Sequence, residues 1–288
     1  MEKISRKKTL LMILVFLLLF VGGEILSSLL TGFVFSFASF KSGEVNRMVE
    51  DIVQLLITGF LFWIFASKVF RCNFADFGIT AKIKWWAPVF ALLLPAGVIA
   101  AYVLIGKFSV AGYPAAKTIL LIVMSLVAGL NAGILEEMLF RGFIMKLLEM
   151  RWNKILAVIL PSFLFSLLHI PGMKTFSFAG ILMLILSGTL VGIMFSLLAY
   201  RGNSIANSVL VHGVWNASLI YGIFHISPDA ASYESVFRIL LPTKNLLLSG
   251  GDFGIEASLI CLAAYAIVAL LNLRGLSVPS SAQSENVR

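Results

Sequence analysis

Residues 117–146 read KTILLIVMSLVAGLNAGILEEMLFRGFIMK and decide the class of this protein. The segment is an almost unbroken apolar run, long enough to cross a membrane as a helix, yet it contains two adjacent glutamates and an arginine. The whole 288-residue chain is 60% apolar and only 12% charged, with a mean hydropathy of +1.00. Soluble proteins carry about 25% charged residues. The composition excludes a soluble enzyme and a disordered chain, and two cysteines, Cys72 and Cys261, are too few for a disulfide scaffold.

Apolar runs of about 20 residues predict an all-α, polytopic integral membrane protein. The eight candidate spans are residues 9–39, 48–69, 87–106, 117–146, 154–170, 178–200, 204–224 and 256–273. The runs lack the short alternating pattern of a membrane β-barrel, so we expect no strands. We expect a single domain over 1–276, with a motif-bearing core at about 117–224, and a disordered cytoplasmic tail over 277–288.

The basic residues predict the orientation of the chain in the membrane. The net charge is +8, but Lys and Arg in a membrane protein mark mainly cytoplasmic loops, so we expect no nucleic-acid partner. With eight spans and a cytoplasmic N-terminus, fourteen Lys and Arg residues fall on the cytoplasmic side and seven on the other. This asymmetry predicts that both termini are cytoplasmic.

Polar side chains within the spans are few, and they concentrate in three spans. A charge at the centre of a membrane helix costs about 2.5 kcal/mol or more, so such residues persist when they are paired, line a wet cavity or perform chemistry. The residues of this kind are Glu136, Glu137 and Arg141 in span four, His169 at the end of span five, and His212 and Asn216 in span seven.

Helical spacing separates the two glutamates. Glu137 and Arg141 are four residues apart and should form an ion pair. Glu136 is rotated by about 100° from Glu137, so we expect that the two do not face the same neighbour and that Glu136 is available as a general base. His212 and Asn216 are also four residues apart and share one face of their helix.

These residues suit the hydrolysis of an acyl bond by water. Glu136 would take a proton from a water held by His169, while His212 and Asn216 donate hydrogen bonds to the oxyanion on the scissile carbonyl. A zinc site is the alternative, with Glu136, Glu137, His169 and His212 as the candidate ligands. In that site the two histidines and one glutamate would bind the metal, and the other glutamate would act as the base. The His-Glu-x-x-His zinc signature is absent from the sequence, and we favour a mechanism without a cofactor.

The motifs Glu136-Glu137-x-x-x-Arg141, Phe165-x-x-x-His169 and His212-x-x-x-Asn216 resemble, in order and spacing, those of the CPBP family. This family comprises the type II CAAX prenyl endopeptidases and the bacterial Abi, or bacteriocin-processing, proteins. The resemblance covers about 117–224. It implies an eight-span helical fold and an intramembrane endopeptidase. Its catalytic residues would be Glu136, His169, His212 and Asn216, supported by Glu137 and Arg141. Some members are described as metalloproteases and others resemble metal-independent glutamate proteases, so the resemblance leaves zinc open.

We therefore expect a multi-pass protein of a bacterial plasma membrane that contacts lipid and hydrolyses a membrane-associated protein or peptide. A non-catalytic scaffold or regulator on the same fold is one alternative, and a proton-coupled transporter is another. A scaffold should have lost a motif residue, whereas all six polar motif residues are present. Two further residues carry expectations. Glu24 should pair inside the bundle or face a wet cavity, and His225 should lie at the membrane interface.

Overall fold

A computed structural model describes residues 5–173, 176–229 and 234–277 of the chain. The α-helices are α1 (Arg6–Phe37), α2 (Gly43–Ile64), α3 (Trp86–Val103), α4 (Ala115–Glu137), α5 (Met145–Arg151), α6 (Lys154–Leu168), α7 (Phe178–Gly202), α8 (Ala206–Leu219), α9 (Leu246–Ser249) and α10 (Leu259–Leu271). π-Helical segments extend α2 over Phe65–Val69 and join α4 to α5 over Met138–Ile144. The predicted all-α membrane class is confirmed. The predicted tail lies outside the described residues, apart from Ser277, which ends a 3₁₀ turn.

Six helices in the described ranges are long and apolar enough to cross a membrane. They are α1, α2 with its π segment, α3, the continuous α4–α5 unit, α6 with the turn that follows it, and α7. The predicted seventh and eighth spans coincide with α8 and α10, which have 14 and 13 residues. At 1.5 Å per residue these helices are about 20 Å long, shorter than a hydrocarbon layer of about 30 Å. The predicted count of eight spans is therefore not confirmed.

The connecting segments form two groups at opposite ends of the bundle. At one end, Arg201 Nη1 lies 2.5 Å from Asn272 Oδ1, and Lys154 Nζ donates to the Leu276 carbonyl at 3.3 Å. At the other end, Lys117 forms ion pairs with Glu44 and Glu234. Contacts of this kind group the start of α6 and the ends of α7 and α10 at one end of the bundle, and the starts of α2 and α4 with Glu234 at the other. Which end faces the cytoplasm stays a prediction.

A small sheet lies at the second end, where we expected no strands. Strands β1 (Lys107–Val110), β2 (Phe224–Ser227) and β3 (Phe237–Leu240) form it in the order β1-β3-β2, with β1 antiparallel and β2 parallel to β3. The third histidine of the chain, His225, lies in β2 opposite Arg238. Each strand has only four residues, too few for an alternating pattern to stand out beside long apolar spans. The expectation of no strands was therefore wrong for these loops.

Several helices are preceded by a short polar residue, whose side chain accepts a hydrogen bond from a backbone N–H group of the first turn. Asn153 Oδ1 accepts from the Leu156 N–H at 2.9 Å at the start of α6. Ser258 Oγ accepts from the Cys261 N–H at 3.2 Å at the start of α10. These bonds satisfy backbone donors that have no partner within the helix itself.

Glycines let the helices that carry the motifs approach each other closely. A Cβ atom at Gly129 of α4 would lie 2.5 Å from the Gly213 carbonyl oxygen and 2.6 Å from the Ala217 nitrogen, both on α8. A Cβ at Gly192 of α7 would lie 2.8 Å from the Cα of Ser162 on α6. Membrane helices pack through such small residues because apolar side chains gain little by leaving lipid for a helix interface. The contact between α4 and α8 brings Glu136 opposite the face that carries His212 and Asn216.

Candidate active site

The predicted catalytic residues meet at one cavity of about 310 Å³. Residues of α4, α6, α7 and α8 line it, together with residues between α9 and α10. Glu136, His169, His212 and Asn216 all lie in its wall. A water molecule occupies about 30 Å³ in the liquid, so the cavity has room for water beside a peptide group. The structure thus brings together side chains that are up to 80 positions apart in the sequence.

Glu137 and Arg141 form the ion pair that their spacing predicts. Arg141 Nη1 lies 2.8 Å from Glu137 Oε1, and both side chains are fully buried. Arg141 Nη2 also donates to the Gly192 carbonyl at 3.2 Å, which ties α4 to α7. Aromatic rings surround the guanidinium, with ring centroids 4.9 Å away at Phe165, 5.4 Å at Phe195 and 5.7 Å at Phe140. The pair therefore links α4 and the π-helical segment that follows it to α7.

His212 lies between the two glutamates, so the expectation that they do not face the same neighbour was wrong. Its Nδ1 is 3.0 Å from Glu137 Oε1, and its Nε2 is 3.7 Å from Glu136 Oε2. The two nitrogens of an imidazole point in different directions, so glutamates about 100° apart on one helix can flank a single ring. Phe195 stacks on this ring with centroids 4.5 Å apart and an interplanar angle of 15°.

These contacts determine whether each ring nitrogen of His212 can donate or accept a hydrogen bond in the cavity. Glu137 is paired with Arg141 and accepts a hydrogen bond from Nδ1, so Nδ1 carries a proton. Nε2 then carries a lone pair in the neutral ring and an N–H only in the imidazolium. Glu136 Oε2 is buried and has no hydrogen-bond partner among the described residues. It is therefore available to accept a hydrogen bond from water.

His169 caps the end of α6, and its ring is held from the same helix. Its Nδ1 lies 2.8 Å from the Phe165 carbonyl oxygen, and a carbonyl can only accept, so Nδ1 carries the proton. Nε2 keeps its lone pair and can accept a hydrogen bond from water. The Phe165 ring lies 4.5 Å from the His169 ring and lines the cavity.

Sequence reasoning missed two carboxyl groups in the wall of this cavity, those of Asp252 and Glu256. Glu256 precedes α10, in a 3₁₀ turn over Ile255–Ala257, and its Oε1 accepts a hydrogen bond from Trp215 Nε1 at 3.0 Å. Burial raises the pKa of the Glu256 carboxyl above its ordinary value. In the sequence, Glu256 is only the first residue of the last predicted span. Glu256 lies 40 positions from the nearest motif residue, Asn216, and no local spacing connects the two.

A second, polar cavity of about 510 Å³ adjoins the first, and Glu136, His169 and Tyr221 line both. Glu24 of α1 and Asp51 of α2 also line it. Glu24 therefore faces a cavity with polar walls, one of the two placements expected for it.

The donor atoms of the cavity bear on the zinc alternative. His212 Nε2 and Glu136 Oε2 face each other, and these two residues could supply two ligands to a metal. Within the described residues, however, no three His, Cys, Asp or Glu side chains converge closely enough to hold a metal ion. Glu137, the fourth candidate ligand, is directed at Arg141 and His212 instead. In the part of the chain that the structure describes, the arrangement does not form the alternative zinc site, in which His169, His212 and one glutamate bind the metal and the other glutamate acts as base.

Comparison with known proteins places the motifs in a described family. Residues 118–218 match the family model of the type II CAAX prenyl endopeptidases described as Rce1-like. No curated protein matches the chain. The matched segment contains all six polar motif residues and spans α4 to α8. The core of this membrane protein is therefore similar to the Rce1-like type II CAAX prenyl endopeptidases, in agreement with the predicted resemblance to the CPBP family.

Proposed function

We propose that the protein is an intramembrane endopeptidase that hydrolyses a peptide bond of a membrane-associated protein or peptide. The observation that carries this proposal is the convergence of Glu136, His169, His212 and Asn216 on one cavity of about 310 Å³. The match of residues 118–218 to a peptidase family supports it.

In the proposed mechanism, Glu136 takes a proton from the attacking water. Its Oε2 is an available acceptor, and His169, with a lone pair on Nε2, holds the same water from the end of α6. The water oxygen adds to the scissile carbonyl, and a tetrahedral oxyanion forms. No metal takes part in this sequence of steps.

His212 and Asn216 stabilise the oxyanion. The Asn216 amide donates through its NH₂ group, whereas His212 donates through Nε2 only as an imidazolium, because Nδ1 is directed at Glu137. The charge of that imidazolium lies between two carboxylates, those of Glu136 and Glu137. Glu137 thus orients the ring, while Arg141 holds Glu137.

Cleavage in proteoliposomes tests the proposal. The probes are an internally quenched peptide with a farnesylated cysteine and the same peptide without the lipid. Glu136→Gln should abolish cleavage and leave the unfolding temperature unchanged, because Gln preserves the shape but is not a base. Glu24→Gln, a matched change at another glutamate of a spanning helix, should retain cleavage. Full activity of Glu136→Gln, or no cleavage of either peptide by the unmodified protein, would contradict the proposal.

A further inference from the structure

Glu256 is a carboxyl group in the wall of the first cavity that has no part in the mechanism above, and it accepts a hydrogen bond from another residue of that wall. Its partner, Trp215, lies on α8 between the two proposed oxyanion donors and is 1% exposed. The cavity wall also includes Glu136, His169, His212 and Asp252 as the other acids and bases, with Tyr221 and Tyr265.

The backbone holds this carboxyl in place. Ile255 and Ala257 on either side of it are buried at 4% and 0% exposure, so the turn is anchored in the core and Glu256 is left facing the cavity. Gly250 has φ of 72°, and a Cβ there would lie 1.7 Å from the Gly254 carbonyl oxygen, so only glycine fits. Ser258 then caps α10 directly after the turn. The anchored backbone therefore holds the Glu256 side chain in one position, facing the cavity.

The hydrogen bond to Trp215 also defines what Glu256 can donate. The indole N–H can only donate, so the Glu256 oxygen that it contacts acts as an acceptor. The second oxygen of a protonated carboxyl is then free to carry the proton towards the cavity. Burial of the Glu256 carboxyl is the main effect that favours this neutral form. The hydrogen bond from Trp215 and the imidazoles of His169 and His212 oppose it, and repulsion from the Glu136 carboxylate adds to it.

We infer that Glu256 is the acid that protonates the leaving amine in the second half of the proposed reaction. This inference rests on the proposed endopeptidase function. An amine leaves a tetrahedral intermediate poorly unless its nitrogen is protonated, and the proposed mechanism so far names no group on the Trp215 side of the cavity that supplies this proton.

The step balances in atoms and charge. The Glu256 O–H proton passes to the amide nitrogen, the C–N bond breaks, and the oxyanion re-forms a carbonyl as the acid product. Glu256 is left as a carboxylate and Glu136 holds the proton that it took from water. Transfer of that proton through cavity water to Glu256 restores both groups, so one water is consumed for each bond cleaved.

The test compares two leaving groups at the same bond. The probes are the quenched peptide and a matched thioester, whose thiol has a pKa of about 8.5 and leaves as a thiolate without protonation. Glu256→Gln keeps an oxygen acceptor for Trp215 but has no acidic proton. We expect it to cleave the peptide about 10²–10⁴-fold more slowly and the thioester at nearly the unmodified rate, since a general acid contributes about that factor.

The rates of the two variants on the two probes distinguish a failure of the Glu256 inference from a failure of the proposed water activation. Glu136→Gln should cleave neither the peptide nor the thioester, because hydrolysis of both needs an activated water. If Glu256→Gln slows both probes equally, or neither, the role of Glu256 as the acid is overturned whatever its folding. If Glu136→Gln cleaves both probes normally, the proposed water activation fails, and the ratio of peptide to thioester rates in Glu256→Gln still decides the present inference.

Discussion

His212 Nδ1 lies 3.0 Å from Glu137 Oε1, which makes Glu137 the residue that orients the imidazole of the candidate site. The same oxygen accepts from Arg141 Nη1 at 2.8 Å. From spacing alone, the Glu137–Arg141 ion pair would stabilise one helix only. In the structure it also orients His212, which lies on α8. This double role makes its stability and activity effects separable.

Loss of Arg141 should destabilise the protein strongly. Arg141→Ala leaves the Glu137 carboxylate buried without its cation, and breaking a buried ion pair in this way costs about 3–5 kcal/mol. The free energy of unfolding in detergent, measured by denaturant titration, checks this. An unchanged stability of Arg141→Ala would show that Glu137 is not held as a buried charge.

A double variant separates the brace from the orientation of His212. Glu137→Leu combined with Arg141→Met removes both charges, and apolar replacement of a whole buried pair is often neutral for stability. We expect the double variant to recover most of the stability lost in Arg141→Ala and yet to cleave peptide poorly, because His212 Nδ1 has lost its acceptor. Recovery of activity together with stability would mean that Glu137 does not orient His212.

Asn216 should affect the rate of the chemical step more than binding. An oxyanion donor acts mainly in the transition state, so Asn216→Ala should lower kcat about 10²–10³-fold with little change in KM. Steady-state kinetics on the quenched peptide measure this. Asn46→Ala, which removes an amide bonded to the Phe40 backbone in a loop, is the matched control and should leave kcat unchanged. A rise in KM without loss of kcat would assign Asn216 to substrate binding.

The close approach of α4 and α8 should be essential for activity. Gly129→Ala places a Cβ 2.5 Å from a backbone oxygen of α8, so the helix that carries His212 and Asn216 must shift. A displacement of about 1 Å can cost 10²-fold in rate. Gly97→Ala in α3 meets no atom within 4 Å and should have no such effect, apart from a gain in helix propensity of about 0.5–1 kcal/mol. Equal rates for the two variants would show that the Gly129 contact does not set the geometry of the cavity.

Chelators should leave cleavage unchanged. The proposed steps use carboxylates, imidazoles and an amide, and a third ligand close to His212 and Glu136 is lacking among the described residues. Prolonged dialysis against a strong chelator, followed by measurement of the cleavage rate with and without added zinc, checks this. Loss of activity that zinc restores would replace the glutamate mechanism with a metal-dependent one.

Much of the fold was predictable because lipid imposes simple demands on a chain. Long apolar runs predict α1, α2, α3, α4, α6 and α7 well, since a helix is the only open segment that satisfies its backbone hydrogen bonds in hydrocarbon. The same requirement does not fix the length of an individual helix. Helices α8 and α10 stop after 14 and 13 residues, and the chain continues in turns. The sheet of β1 to β3 was missed because its strands lie in loops and pair over a long separation in the sequence.

The residues of the candidate site could be predicted from the sequence, because a polar group inside a membrane helix is energetically costly and such groups are therefore rare. Spacing of four residues predicted the contact of Glu137 with Arg141 correctly, since that contact depends on the geometry of one helix. Contacts between helices depend instead on which small residues allow two backbones to meet, as Gly129 does with α8. Only the packed bundle therefore decided that His212 lies between both glutamates and that Glu256, from a distant turn, lines the same cavity as Glu136.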